Sequence, residues 1–249
     1  MSAIAIILFL SVALPAVWVY QKGPVEAKKL NNWLIFAGSY IFSISIIHIM
    51  PELLLASDNP HFLSIFFLVG FFMQIGLDTL TSGTEHGHYH GGHEHFSKQG
   101  MWLLVLGMCI HGLMDGGILV HNYVPEAQSI SQHSLGLLAG VVVHKIPAAL
   151  ILSTLLLHQF KNKTWVFLCL LLFALSSPLG FYLSHMASYS DLVNSEMFNI
   201  LFAIVTGNFL HISTTIYFEN NPEHRFQKKK ALYSIFGAAI AIFADFISH

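Results

Sequence analysis

The sequence predicts an all-α integral membrane protein, a bundle of eight transmembrane helices with both termini on the outer side. Three observations predict it. The first is composition: 55% of residues are hydrophobic and only 10% are charged, whereas a soluble domain carries about 25% charged residues. Mean hydropathy is +0.64. The second is length. Eight apolar runs, near residues 2–20, 33–55, 62–80, 101–123, 134–157, 164–186, 196–218 and 231–248, each approach the ~20 residues that cross a bilayer. The third is charge placement. Ten of the 11 Lys and Arg residues fall in the odd-numbered connections: Lys22, Lys28, Lys29, Lys98, Lys161, Lys163, Arg225, Lys228, Lys229 and Lys230. The even connections and both termini hold none, so the positive-inside rule puts the odd connections in the cytoplasm and both termini outside.

Other readings of the composition fall away. The formal net charge of −2 offers no basic field for nucleic acid. Cys109 and Cys169 both lie inside apolar runs, where a thiol acts as a small hydrophobe rather than half of a disulfide framework. The start of the chain lacks the basic region of a cleaved signal peptide, so residues 2–20 are read as a true span. Connections are short, and residues 1–249 are read as one transmembrane domain in the cell membrane, with the lipid bilayer as its solvent. A homodimer is one assembly left open.

In chain order, the second run ends SIIHIMPELLLA. His48 and Glu52 stand at i, i+4 with Pro51 between them, in the outer half of that helix. The third run carries Gln74 and Asp78 toward its cytoplasmic end, and Asp78 reads as an interfacial carboxylate. The connection at 81–100 contains His86, His88, His90, His93 and His95, spaced by Gly and joined by Glu85 and Glu94. Neutral imidazole is the commonest protein ligand for zinc and suits related divalent ions. Five His so spaced make a flexible cytoplasmic chelating loop rather than a fixed four-ligand site.

The fourth and fifth runs hold the polar groups that most need explaining. His111 and Asp115 lie at i, i+4 on one helix face. His144 and Lys145 lie within the fifth run, shortly before Pro147. An ionisable group at bilayer depth costs roughly 2.5–3.5 kcal/mol on insertion scales and is retained for a partner or a task. Two imidazoles and a carboxylate suit zinc and other borderline divalent metals. Burial within the membrane suits an ion held midway across, with access from alternating sides. Lys145 is the odd member: its ammonium either points away from the cation or pairs with Asp115.

The sixth run contains SSPLG, whose Ser176 and Ser177 can satisfy backbone groups freed by Pro178. The seventh contains GNFLHISTT, with His211 either on the ion pathway or hydrogen-bonded to a neighbouring helix. The eighth is rich in Gly and Ala, suited to close packing, and its Asp245 reads as a solvated residue near the outer end.

Taken in order, HGLMDGGILV and VVVHKIPAAL resemble the fourth- and fifth-helix motifs of the ZIP metal transporters. IIHIMPEL, SSPLG and GNFLHIS resemble their second-, sixth- and seventh-helix motifs. The resemblance implies an eight-span carrier that moves divalent metal ions, zinc foremost, toward the cytoplasm. The ions, Zn2+ or else Fe2+, Mn2+ or Co2+, are its transported substrate; no cofactor is implied and no enzymatic activity. His111, Asp115 and His144 would be the central ligands, and His48 and Glu52 would serve the entrance. The family pattern departs at three positions: Gly112 stands for a frequent Asn, Lys145 for an acidic residue, and Ala148 for a carboxylate or His. These departures imply a single-metal centre with Lys145 as a fixed charge in place of a second cation. Two alternatives remain open from the sequence: a metal sensor or structural relative that no longer transports, suggested by the lost carboxylates, and an intramembrane metal-dependent hydrolase.

Overall fold

The computed structural model describes residues 2–23, 25, 27–81, 98–120, 123–124, 129–130, 132–160, 162–188, 195–219 and 228–248. Nearly all of them are helical. Helix α1 spans Ser2–Lys22 and α2 spans Ala27–Ile44. A π-helical turn, Ser45–Ile49, leads into α3, Met50–Ala56. Then follow α4 (Pro60–Thr81), α5 (Lys98–Gly117), α6 (Gln132–Gln159), α7 (Lys163–Ser188), α8 (Ser195–Glu219) and α9 (Lys228–Ser248). Among the described residues, seven helical stretches are long and apolar enough to cross a membrane, and α9 runs alongside α2 with 21 residues. The chain is a predominantly helical, multi-pass membrane protein.

Two of the expected spans have ends the sequence did not suggest. The second is not one uniform helix. Pro51 has no N–H to donate, and its ring crowds the carbonyl four residues back. The strand of helix before it widens instead: the Met50 N–H donates to the Ser45 carbonyl, five residues earlier. Such single π-turns are frequent at functional sites, and this one contains His48. The fourth span was expected to run to residue 123. It leaves the α-helix at Gly117, tightens into a 3-10 turn at Ile118–Val120, and is followed by a two-stranded ribbon. There β1 (Tyr123–Val124) pairs antiparallel with β2 (Ser129–Ile130), with Tyr123 opposite Ile130. The consecutive Gly116 and Gly117 are poor helix formers and mark the exit.

The helices fall into two closely packed groups. In one, α5 lies against α7, and α1 lies against both α6 and α7; in the other, α4 lies against α8, and α2 lies against α9 and α8. Lipid tails are as apolar as Leu, so such contacts depend on close van der Waals approach rather than on the hydrophobic effect. Glycine supplies the approach. Between α5 and α7, a Cβ at Gly116 would fall on the Ser177 carbonyl, and one at Gly180 on the Leu113 carbonyl. Gly70 and Gly207 do the same between α4 and α8. The groups meet mainly along α2–α6 and α4–α5, where the Tyr40 hydroxyl donates to the Gly136 carbonyl at 2.8 Å.

Candidate metal centre

The polar groups of α5 and α6 converge. One helical turn separates His111 from Asp115, and His111 Nε2 lies 3.4 Å from Asp115 Oδ1. From α6, Lys145 Nζ reaches the other carboxylate oxygen, Oδ2, at 2.7 Å. The His144 ring stands edge-on to that of His111, with centroids 5.7 Å apart and planes at 76°. None of the four side chains belongs to a residue more than 2% exposed. Behind them, the Lys145 ammonium lies 5.2 Å from the centre of the Phe173 ring on α7, close enough for a cation–π attraction. Of the two orientations open to Lys145, the structure has the one paired with Asp115.

The helix contacts explain why this face carries the site. Ser177 donates its hydroxyl to the Gly112 carbonyl at 2.7 Å, crossing from α7 to α5 just beside His111. A Cβ at Gly112 would collide with the Ser176 hydroxyl. The residue that stands for the frequent Asn thus lies directly against α7, where a larger side chain would make the Ser176 hydroxyl move. Ser176 itself donates to the Phe173 carbonyl one turn back, at 2.7 Å. Ser177 bridges two helices instead of patching the backbone around Pro178.

Chemically, the centre is a neutralised ion pair flanked by two imidazoles. Among the described residues, no three His, Cys, Asp or Glu side chains converge tightly enough to hold a metal ion as placed. The ammonium occupies one oxygen of the only carboxylate in the set. His111 Nδ1 has no hydrogen-bond partner among the described residues, an unsatisfied buried nitrogen of the kind that calls for a ligand or water.

Two further polar clusters lie outside the centre. In the π-turn, His48 Nδ1 is 2.9 Å from Asp245 Oδ1 on α9, and its Nε2 is 3.6 Å from Glu52 Oε2. Asp245 was expected to be solvated. Its side chain is only 17% exposed, because α9 packs along α2 and brings it onto His48. On the other side of the bundle, His211 Nδ1 lies 3.3 Å from Asp78 Oδ2. Gln74, fully buried, donates to Asp78 Oδ1 at 2.9 Å. The Phe71 ring stands edge-on to His211, 4.8 Å away. Asp78, read from the sequence as interfacial, stands near the end of its span, and the tight α4–α8 contact turns it onto His211. Asn208 of α8 is a residue the sequence did not flag. It is buried, its amide reaches Met114 Sδ at 3.3 Å, and its Oδ1 has no partner among the described residues. His86, His88, His90, His93 and His95 lie outside the described residues.

Comparison with known proteins adds one result. No curated protein matches the chain. A family model, that of the ZIP zinc transporters, matches residues 81–245, about two thirds of the 249 residues. The match takes in His111, Asp115, His144, Lys145 and His211, while His48, Glu52 and Asp78 lie before it. Members of that family move metal ions as substrates and are not enzymes. By this match, and with the helices suited to a membrane that it requires, the chain belongs to the ZIP zinc transporter family.

Proposed function

We propose that this chain takes divalent metal ions, zinc foremost, into the cytoplasm through a single central site made by His111, Asp115 and His144. Lys145 guards that site. The observation that carries the reading is the 2.7 Å contact of Lys145 with Asp115 among buried imidazoles. A carboxylate paired with an ammonium is neutral, so the empty centre is stable in a low-dielectric setting. An arriving dication would displace the ammonium and take the carboxylate with the imidazoles. When the ion leaves, the ammonium returns. Lys145 would thus stand where a second cation would otherwise stand, and the donor set would accept Fe2+, Mn2+ and Co2+ to lesser or greater degree.

The ten basic residues of the odd connections support a cytoplasmic placement for those connections and an outward placement for both termini. In that orientation, His48 and Glu52 collect metal at the outer side, His211 lies on the inner part of the path, and the loop histidines receive metal in the cytoplasm. One transmembrane domain over 1–249 would contain all of these.

Uptake of radioactive or fluorescently reported zinc by proteoliposomes tests the proposal. His111→Ala, Asp115→Ala and His144→Ala should each cut the rate at least tenfold while leaving insertion and monodispersity intact. Wild-type rates in all three would place the site elsewhere. A second reading has one observation in its favour. Because Asp115 is already occupied by Lys145 and no three ligands converge, a relative that senses metal without moving it would look the same. Zinc binding without flux in the wild type would favour that reading.

A further inference from the structure

A groove between α1 and α7 opens on the outside of the bundle, where Val17, Tyr20 and Phe167 are exposed. Its volume is about 650 Å³, within the usual range for small-ligand sites. Phe9 and Ala13 of α1 and Phe167 and Leu170 of α7 line its length. Its mouth is different in character. Lys163 and Tyr20 close that end, with Lys163 Nζ 5.4 Å from the Tyr20 ring centre. Lys22 lies at the end of the same helix. The groove is greasy along its body and cationic at one end.

The depth of that end is readable from the aromatic residues. All four tryptophans of the chain, Trp18, Trp33, Trp102 and Trp165, lie near the same end of the bundle. They occupy the last turns of α1 and the first turns of α2, α5 and α7, and all are substantially exposed. Trp102 and Trp165 meet edge to face at 5.7 Å. Trp and Tyr collect where the hydrocarbon gives way to headgroups. The mouth of the groove is therefore at headgroup depth, and its apolar body runs along the acyl region.

We infer that the α1–α7 groove is a binding site for one anionic phospholipid, its acyl chain along Ala13 and Leu170 and its phosphate on Lys163. A zwitterionic lipid fills the apolar part equally well but brings its own cation to Lys163. An anionic headgroup meets only the complementary charge. Basic pockets between transmembrane helices select lipids on this basis, with a preference on the order of five-fold for each cation engaged. The location gives the lipid a route to the ion centre. Leu170 and Ala174, both lining the groove, flank Phe173 on α7, and the Phe173 ring carries the Lys145 ammonium. A chain seated in the groove fixes the α7 face that supports Lys145.

The test uses the purified full chain in nanodiscs of mixed phosphatidylcholine and phosphatidylglycerol, with retained lipid counted by native mass spectrometry. Wild type should retain one phosphatidylglycerol per chain in preference to phosphatidylcholine. Lys163→Gln should lower that preference about five-fold, Lys163→Arg should keep it, and Lys228→Gln, at the start of α9, should leave it unchanged. Ala13→Phe should plug the groove and reduce retention of both lipids. Added inorganic phosphate should not displace the lipid. Equal retention of the two lipids by wild type, a Lys163→Gln variant that behaves as wild type, an equal loss in Lys228→Gln, or displacement by inorganic phosphate would each overturn the inference.

Discussion

Lys145 Nζ and Asp115 Oδ2 are 2.7 Å apart, on different helices and almost wholly out of contact with solvent. Each charge is tolerable there because of the other. Removing one partner of a buried pair leaves an uncompensated charge and costs about 3–5 kcal/mol. Lys145→Met keeps the bulk of the side chain and removes the cation. The metal-free variant should melt well below wild type. Zinc should then stabilise it more than it stabilises wild type, because the ion no longer competes with an ammonium for Asp115. Thermal unfolding in detergent with and without zinc measures both effects. An equal zinc-induced shift in the two proteins would mean that metal and ammonium do not compete.

The converse substitution tests the idea that Lys145 stands in for a second ion. Opposite unit charges ~4 Å apart attract by about 4 kcal/mol at an effective dielectric of 20, and Lys145→Glu exchanges that attraction for a repulsion that a cation must relieve. This variant should bind more metal per chain at the centre and release it more slowly. Metal stoichiometry and dissociation rate, measured after the loop histidines are replaced by Ser, report it directly. Two tightly held central ions already present in wild type would refute the single-metal proposal.

The glycine contacts make a prediction about stability alone. A methyl group at Gly116 or Gly180 would enter the backbone of the opposing helix, and overpacking of this kind costs about 1–3 kcal/mol. Gly116→Ala and Gly180→Ala should each lower the melting temperature. Gly76→Ala is the control. Nothing lies within 4 Å of a Cβ there, and Ala exceeds Gly in helix propensity by about 1 kcal/mol, so this variant should melt at or above the wild-type temperature. Loss of stability in Gly76→Ala and not in the other two would show that α5 and α7 are not held by backbone approach.

The bundle was legible in the sequence because hydrophobic length is a property of each helix by itself. The pairing of His111 with Asp115 was legible for the same reason: i, i+4 spacing on one helix fixes it. What was not legible depends on which helices are neighbours and in what register. His48 and Asp245 sit near opposite ends of the chain, and no local pattern aligns α2 with α9. Asp78 reads as interfacial, and nothing in the sequence shows that α8 turns His211 toward it. The π-turn holding His48 was also hidden, although Pro51 supplied a cause. Gly112 reads in sequence as a departure from a frequent Asn; that it also lies against Ser176 of α7 is visible only in the fold.

The loop histidines support a prediction from chemistry and position alone. Gly-spaced imidazoles in one connection suit metal contact without a fixed four-ligand set. Replacing His86, His88, His90, His93 and His95 with Ser should leave the maximal transport rate within about two-fold and shift apparent affinity modestly. Transport assays of a well-inserted variant check this, and complete loss of flux would place the loop in the obligatory path.

The last prediction concerns His48 and Asp245, which meet at 2.9 Å across α9 and the π-turn. If this pair collects metal at the outer side, removing either member should raise the apparent KM several-fold and change the maximal rate little, since the central ligands are untouched. Asp245 holds His48 more closely than Glu52 does, at 2.9 Å against 3.6 Å. Asp245→Asn should therefore resemble His48→Ala, whereas Glu52→Gln should be milder. The two strong variants should also not add. Residues in direct contact usually show coupling of about 0.5–3 kcal/mol, so His48→Ala with Asp245→Asn should raise the KM scarcely more than either change alone. Zinc uptake rates over a range of concentrations, for the wild type, the two single variants and the double variant, close the cycle. Strict additivity would show that the two residues act separately. A collapse of maximal rate at unchanged KM would move His48 from the entrance into the central site.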